Sequence, residues 1–149
     1  YMRILSPDVV FRYENRIINV HPSLLPSFPG ASAYMQAVEE GVRIAGVTAH
    51  YVTTDLDQGP IIAQRAFDVR PDDDAESLRD RGQPLEAEVL LEAVQMHLNG
   101  DILVRRGKTE LREGVDPDEY QFGLPNGFGE DLPDGPVDSV KRADESADD

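Results

Sequence analysis

Apolar and polar residues fall into segments of two periods along the chain. Ser6-Pro7 reads as N-cap and first helical position, with Asp8 near the positive end, so a short helix is predicted over Pro7 to Tyr13. Arg16 to Val20 is a short run of branched residues between Glu14-Asn15 and His21-Pro22, the pattern of a buried strand. Pro22, Pro26 and Pro29-Gly30 make the next stretch a non-helical loop. Ala31 to Gly41 returns to helix, with Ala33, Ala37 and Val38 at helical spacing and Gly41 as the stop. Ile44 to Thr53 alternates, with Val47, Ala49 and Tyr51 on one face and Thr48, His50 and Val52 on the other.

A loop over Thr54 to Pro60 leads to a further strand from Ile61 to Val69. Pro71 and Asp72-Asp73-Asp74 mark the turn into helix. Leu85, Val89, Leu90, Ala93, Val94 and Leu98 form an apolar stripe, which predicts an amphipathic helix over Pro84 to Leu98, stopped by Asn99-Gly100. Ile102 to Arg105 fits a short edge strand. Beyond Glu113 the chain turns acidic and rich in Gly and Pro, and disorder or loose packing is expected there, with Tyr120, Phe122 and Phe128 able to dock locally. Strands alternating with helices indicate an α/β layer fold containing only part of a sheet.

Charge changes the picture of the surface. Asp plus Glu number 29 against 14 Lys plus Arg, a net charge of −15. So acidic a chain repels phosphate backbones, which argues against a nucleic-acid partner. The acids stand in the body (Asp72, Asp73, Asp74, Glu86, Glu88) as well as near the end (Glu130, Asp131, Asp134). That spread favours adaptation to high salt over an acidic tail on an ordinary enzyme. No apolar run reaches the length of a membrane span, and no basic segment followed by an apolar stretch opens the chain, so a cytoplasmic protein without a membrane partner is expected. Cys is absent, and no compact set of metal ligands stands at the usual spacing, so no metal is expected. Tyr1 is not a natural start, and the chain reads as part of something longer.

Two segments carry candidate chemistry. Asn19 and His21 project to the same side of a strand, because its period is two. An amide beside an imidazole offers a donor to a developing oxyanion and a group that transfers protons. On spacing alone, Asn19 as a loop cap and His21 as a core histidine fit as well. In Thr53-Thr54-Asp55-Leu56-Asp57-Gln58-Gly59-Pro60, either Asp can serve the turn by bonding nearby backbone amides. A carboxylate near the imidazole would also orient it and stabilise its protonated form. His50 suits either support of the site or plain packing. His97 suits the C-terminal end of its helix and receives no function.

Met-Arg-Ile-Leu-Ser-Pro at 2–7, Asn-Val-His-Pro-Ser-Leu-Leu-Pro at 19–26 and His-Tyr-Val-Thr-Thr-Asp-Leu-Asp-Gln-Gly-Pro-Ile-Ile at 50–62 together resemble the folate-dependent formyltransferase superfamily, in order and in spacing. The resemblance runs over about residues 1 to 104. It implies a Rossmann-like formyltransferase fold with a mostly parallel twisted sheet, of which this chain holds the C-terminal half. Residues 1–112 would be part of the catalytic domain and residues 113–149 an acidic, disordered tail; on composition, residues 114–149 are expected to be dispensable for chemistry. It further implies that Asn19, His21 and Asp57 are catalytic, and that Met2, Arg3, Ile4 and Leu5 line a folate pocket. Thr53, Asp55 and Leu56 would lie in the loop facing the pteridine. The implied substrate and partner is a small-molecule folate, 10-formyltetrahydrofolate, with homo-oligomerisation left open.

Two branches of the family fit. The deformylases release formate from 10-formyltetrahydrofolate by hydrolysis, and Thr48 to Thr53 with Leu56 to Ile62 looks more like them. The phosphoribosylglycinamide formyltransferases pass the formyl group to an amine in purine biosynthesis, and Pro22 to Phe28 looks more like those. The deformylase reading is favoured. An inactive folate-binding fragment is the third reading.

Overall fold

The computed structural model describes residues 5–120. Met2, Arg3, Ile4, Phe122 and Phe128 lie outside the described residues. Ser6 caps the first helix, α1 (Pro7–Arg12), by accepting from the Val9 amide. Strand β1 (Ile18–His21) begins two residues later than the hydrophobic run suggests and extends to the histidine. Helix α2 (Ala33–Glu40) ends on Gly41, whose left-handed conformation closes the last turn. Strands β2 (Ile44–Tyr51) and β3 (Ile61–Asp68) follow.

Two elements depart from the sequence pattern. Helix α3 runs over Ala75–Leu98, well upstream of the predicted start at Pro84. The apolar stripe that predicts this helix begins only at Leu85, so it carries no sign of the upstream turns. Here Asp74 and Ser77 form a capping box and the Arg81 guanidinium pairs with Asp73, so the first turns hold although Pro84 donates no hydrogen bond. The second departure is a hairpin. Strand β4 (Ile102–Arg105) pairs with β5 (Lys108–Leu111) through Arg106-Gly107, both at positive φ, the conformation a tight two-residue turn requires. The Arg-Gly pair was the available signal for β5. The Thr109 hydroxyl ties the hairpin to the Ile61 carbonyl.

The main sheet has the order β1-β2-β3 and is antiparallel at both junctions, which corrects the expectation of mostly parallel strands for this part of the fold. The loop 52–60 is short enough for a hairpin return. Between β1 and β2 the chain passes through α2, which packs on α3 instead of spanning the sheet as a crossover, so β2 enters beside β1 in the opposite direction.

Helix α3 covers one face of all three strands. Val47, Ala49 and Ala63 from the sheet meet Val89 and Ala93, with Ile18, Val20, Ile62 and Leu85 around them. Val47 and Ala49 thus take the side the alternation assigned. The opposite side of β2 is buried too, because the proline loop folds over it. Thr48 accepts from the Leu25 amide and donates to the Ser23 carbonyl. Of the predicted helical stripe, Leu90 and Leu98 are exposed, since the buried line runs through Leu78, Gly82, Val89, Glu92, Ala93 and Met96, its first two residues against Tyr34 of α2 and not the sheet alone. Glu92 is buried there by pairing with Arg65.

Tyr120 is buried at the end of a short 3-10 turn, Pro117–Tyr120. Its hydroxyl donates to Asp101 and accepts from Asn99, and its carbonyl lies 3.5 Å from Arg65. Tyr120→Ala is therefore expected to cost on the order of 2 kcal/mol, measured by denaturant unfolding. An unchanged unfolding midpoint would show that this contact carries no stability.

Candidate active site

Asn19 and His21 stand at the C-terminal end of β1, and the loop between β2 and β3 brings Asp57 to them. His21 is buried. Its Nε2 lies 2.8 Å from the Phe28 carbonyl oxygen, which only accepts, so this nitrogen carries hydrogen. Its Nδ1 faces Asp57 Oδ1 at 3.5 Å, an ion-pair distance longer than a direct N–H···O bond. Both contacts are satisfied together when the ring carries hydrogen on both nitrogens.

Asp57 is buried and sits at φ 56°, a left-handed conformation that Asp tolerates better than most residues. Its Oδ2 accepts from the Gly30 amide at 2.7 Å. The loop that carries it is closed by Gly59, where a Cβ would stand 1.6 Å from the Tyr51 carbonyl oxygen; only glycine fits. Asp55, by contrast, is exposed, and its carbonyl receives the Thr53 hydroxyl and the Gln58 amide, which is turn-making. Of the two aspartates, it is Asp57, the one the resemblance singles out, that faces His21, while Asp55 serves the turn.

Two cavities meet at this cluster. The smaller, about 230 Å³, is lined by Leu5, Ile18, His50, Thr53, Asp55 and Leu56 among others. Leu5 and the three loop residues expected to face a folate therefore share one wall. The larger, about 500 Å³, is lined by His21, Pro22, Tyr34, Arg79, Gln83 and Glu86 among others. Asn19, Leu56 and Asp57 border both. The second cavity's wall on α2 and α3 was not foreseen. Tyr34 reaches it because Gly82 leaves no Cβ under its ring: a Cβ there would lie 2.0 Å from the hydroxyl. That hydroxyl lies 3.5 Å from Glu86 Oε2. Burial pushes the Glu86 carboxyl up from its ordinary value. The signal was a glutamate on the apolar flank of a helix, next to Leu85.

Asn19 is exposed, with no side-chain hydrogen bond among the described residues, so its amide is available to a ligand. His21 is not free in that sense, since both nitrogens are engaged. Its Nε2 could reach a ligand only if the Phe28 contact opened. Among the described residues no group of three His, Cys, Asp or Glu side chains is placed to hold a metal ion. None of their helices is long and apolar enough to cross a membrane. His97 accepts or donates to the Tyr51 hydroxyl at 2.8 Å and packs edge-on against its ring, a structural contact.

The formyl transferase family model matches residues 1–94. The chain is 50% identical over 109 residues to a formyltetrahydrofolate deformylase of Bacillus subtilis, covering 73% of this chain and 36% of that relative. It is 46% identical to the Haemophilus influenzae protein of the same name, covering 73% of this chain and 39% of the relative. It therefore spans well under half the length of these curated relatives. Among solved structures, phosphoribosylglycinamide formyltransferase from Anaplasma phagocytophilum superposes with TM-score 0.73 at 40% identity, over 78% of this chain and 57% of the other. A formyltetrahydrofolate deformylase from Pseudomonas syringae gives 0.72 at 42% identity, over 76% and 38%. With the formyltransferase α/β fold and the three sequence segments in register with it, the chain belongs to the formyl transferase family.

Proposed function

We propose that the polypeptide carrying this chain hydrolyses 10-formyltetrahydrofolate to formate and tetrahydrofolate. The observation that carries this reading is the meeting of Asn19, His21 and Asp57 where the two cavities join, with one carboxylate oxygen fixed by Gly30 and the other turned to His21. The identity to relatives named as deformylases supports water as the acceptor. The folate would enter the smaller cavity, past Leu5, Thr53, Asp55 and Leu56.

In this reading the water oxygen bonds to the formyl carbon, and the carbonyl electron pair moves onto the formyl oxygen. Asn19 donates to that oxygen from its side-chain amide, and a positive charge on His21 stabilises the developing negative charge. Asp57 accepts a proton from the attacking water. Collapse of the adduct then breaks the bond to the folate nitrogen, which takes up a proton through the His21–Asp57 pair. Formic acid and tetrahydrofolate leave, and the acid gives its remaining proton to solvent to become formate.

The transferase reading is favoured by one feature. The larger cavity, about 500 Å³ and walled by Tyr34, Arg79 and Glu86, is roomier than a water needs. The two readings separate in one assay. A deformylase releases formate from 10-formyltetrahydrofolate with no amine present. A transferase is nearly silent until glycinamide ribonucleotide is added, and strict dependence on it would overturn the hydrolytic reading. The assay is run at high and at low salt, because a net charge of −15 repels itself most when unscreened.

A further inference from the structure

His50 is a titratable group at the site that this chemistry does not use. It is 2% exposed and lines the smaller cavity. Its Nδ1 lies 3.0 Å from the Tyr51 carbonyl oxygen. A carbonyl only accepts, so Nδ1 carries the hydrogen and Nε2 presents a lone pair. That Nε2 is buried with no hydrogen-bond partner among the described residues. Buried polar atoms are rarely left so, and an orphan beside a cavity marks a place where a partner belongs. Burial pushes the imidazole below its ordinary value, more than the Tyr51 contact and nearby Asp57 raise it, which keeps the lone pair available.

The strand register names the partner. Asn19 of β1 stands directly opposite His50 of β2. Directly paired residues of antiparallel strands project to one face, with Cβ atoms about 4.5–5.5 Å apart. Both side chains border the smaller cavity, and the Asn19 amide is otherwise without a hydrogen bond among the described residues.

We propose that His50 is a positioning residue for Asn19: its Nε2 accepts one hydrogen of the Asn19 amide, so the second points at the formyl oxygen. An amide can flip, and the flipped form would turn Oδ1 toward the developing oxyanion, where it repels. The Nε2 lone pair selects against that form, because it would meet Oδ1 as a second acceptor. The inference rests on Asn19 as the oxyanion donor, whichever acceptor, water or amine, attacks the formyl carbon.

The test is a double-mutant cycle in the full-length polypeptide. His50→Leu should lower kcat roughly 3- to 10-fold, one neutral hydrogen bond's worth, and leave KM for the folate within about twofold. His50→Gln, which returns an acceptor near the Nε2 position, should recover much of the loss. In an Asn19→Ala background, His50→Leu should cost almost nothing further, because its effect runs through the missing amide. The thermal midpoint of His50→Leu should match or exceed that of the parent, since an unpaired buried acceptor has been removed. Equal losses from His50→Leu in both backgrounds would overturn the proposal and leave the catalytic role of Asn19 intact. So would an undiminished kcat in the single variant. A silent Asn19→Ala would remove the oxyanion reading and this inference together. Should His50→Leu fail to fold, the cycle is run with His50→Gln and His50→Asn, of which only the former places an acceptor near Nε2 and should keep kcat.

Discussion

Asp57→Asn is expected to lower turnover roughly 10²–10⁴-fold, the usual reach of a lost general acid–base group, whereas Asp55→Asn should stay within a few-fold of the parent. The asymmetry follows from what the two side chains do. Asp57 is buried, with one oxygen on the Gly30 amide. An asparagine keeps that bond through its own oxygen and turns its NH2 toward His21 Nδ1. The carboxylate oxygen that faces His21 at 3.5 Å is then replaced by a group that donates. The variant also has no carboxylate to accept the proton of an attacking nucleophile. Asp55 is exposed and serves the turn through its backbone carbonyl, which the substitution leaves alone. Steady-state kcat and KM for 10-formyltetrahydrofolate decide the matter. Equal losses from both variants would show that the loop, not the carboxylate, is what matters.

The same pair of aspartates shows how far the sequence could be read. Their loop, its two flanking strands and its glycine–proline exit are all legible, because they follow from local pattern and turn chemistry. Which aspartate faces the histidine follows from the resemblance but not from local pattern, because it depends on a positive φ at Asp57 and on an amide from Gly30, both products of the folded loop. Strand direction was hidden for a similar reason. A run of branched residues gives the same pattern in either direction, and the return through α2 decides it.

Helix α3 shows the opposite failure. Its predicted start at Pro84 rests on an apolar stripe that begins only at Leu85, whereas a capping box at Asp74 and Ser77 governs the first turn. The resemblance to formyltransferases supplied Asn19, His21 and Asp57 as candidates, but not Tyr34, Arg79 and Glu86. Their side chains converge only through the packing of α2 on α3, which leaves no short motif.

Asn19→Ala and His21→Ala should each lower turnover about 10²–10³-fold, as loss of one oxyanion-stabilising group does, yet they should differ in stability. Asn19 is exposed and bonded to no side-chain partner among the described residues, so its removal takes little from the folded state. His21 is buried, donates to Phe28 across the proline loop and faces the Asp57 carboxylate. Truncating it leaves the Phe28 carbonyl and Asp57 without that partner, and an uncompensated buried charge is among the costlier defects a core can carry. His21→Ala should therefore lower the thermal midpoint by several degrees, and Asn19→Ala should leave it in place. KM for the folate should change little in either, because the smaller cavity is lined mainly by other residues. The fall in kcat for His21→Ala must exceed what its unfolded fraction explains at the assay temperature. If kcat per folded molecule is preserved, His21 is a structural anchor of the loop, and the charge stabilising the oxyanion has to come from elsewhere. If Asn19→Ala lowers the midpoint as far as His21→Ala does, the amide is engaged in the fold before any ligand arrives, and its loss cannot be read as loss of an oxyanion donor alone.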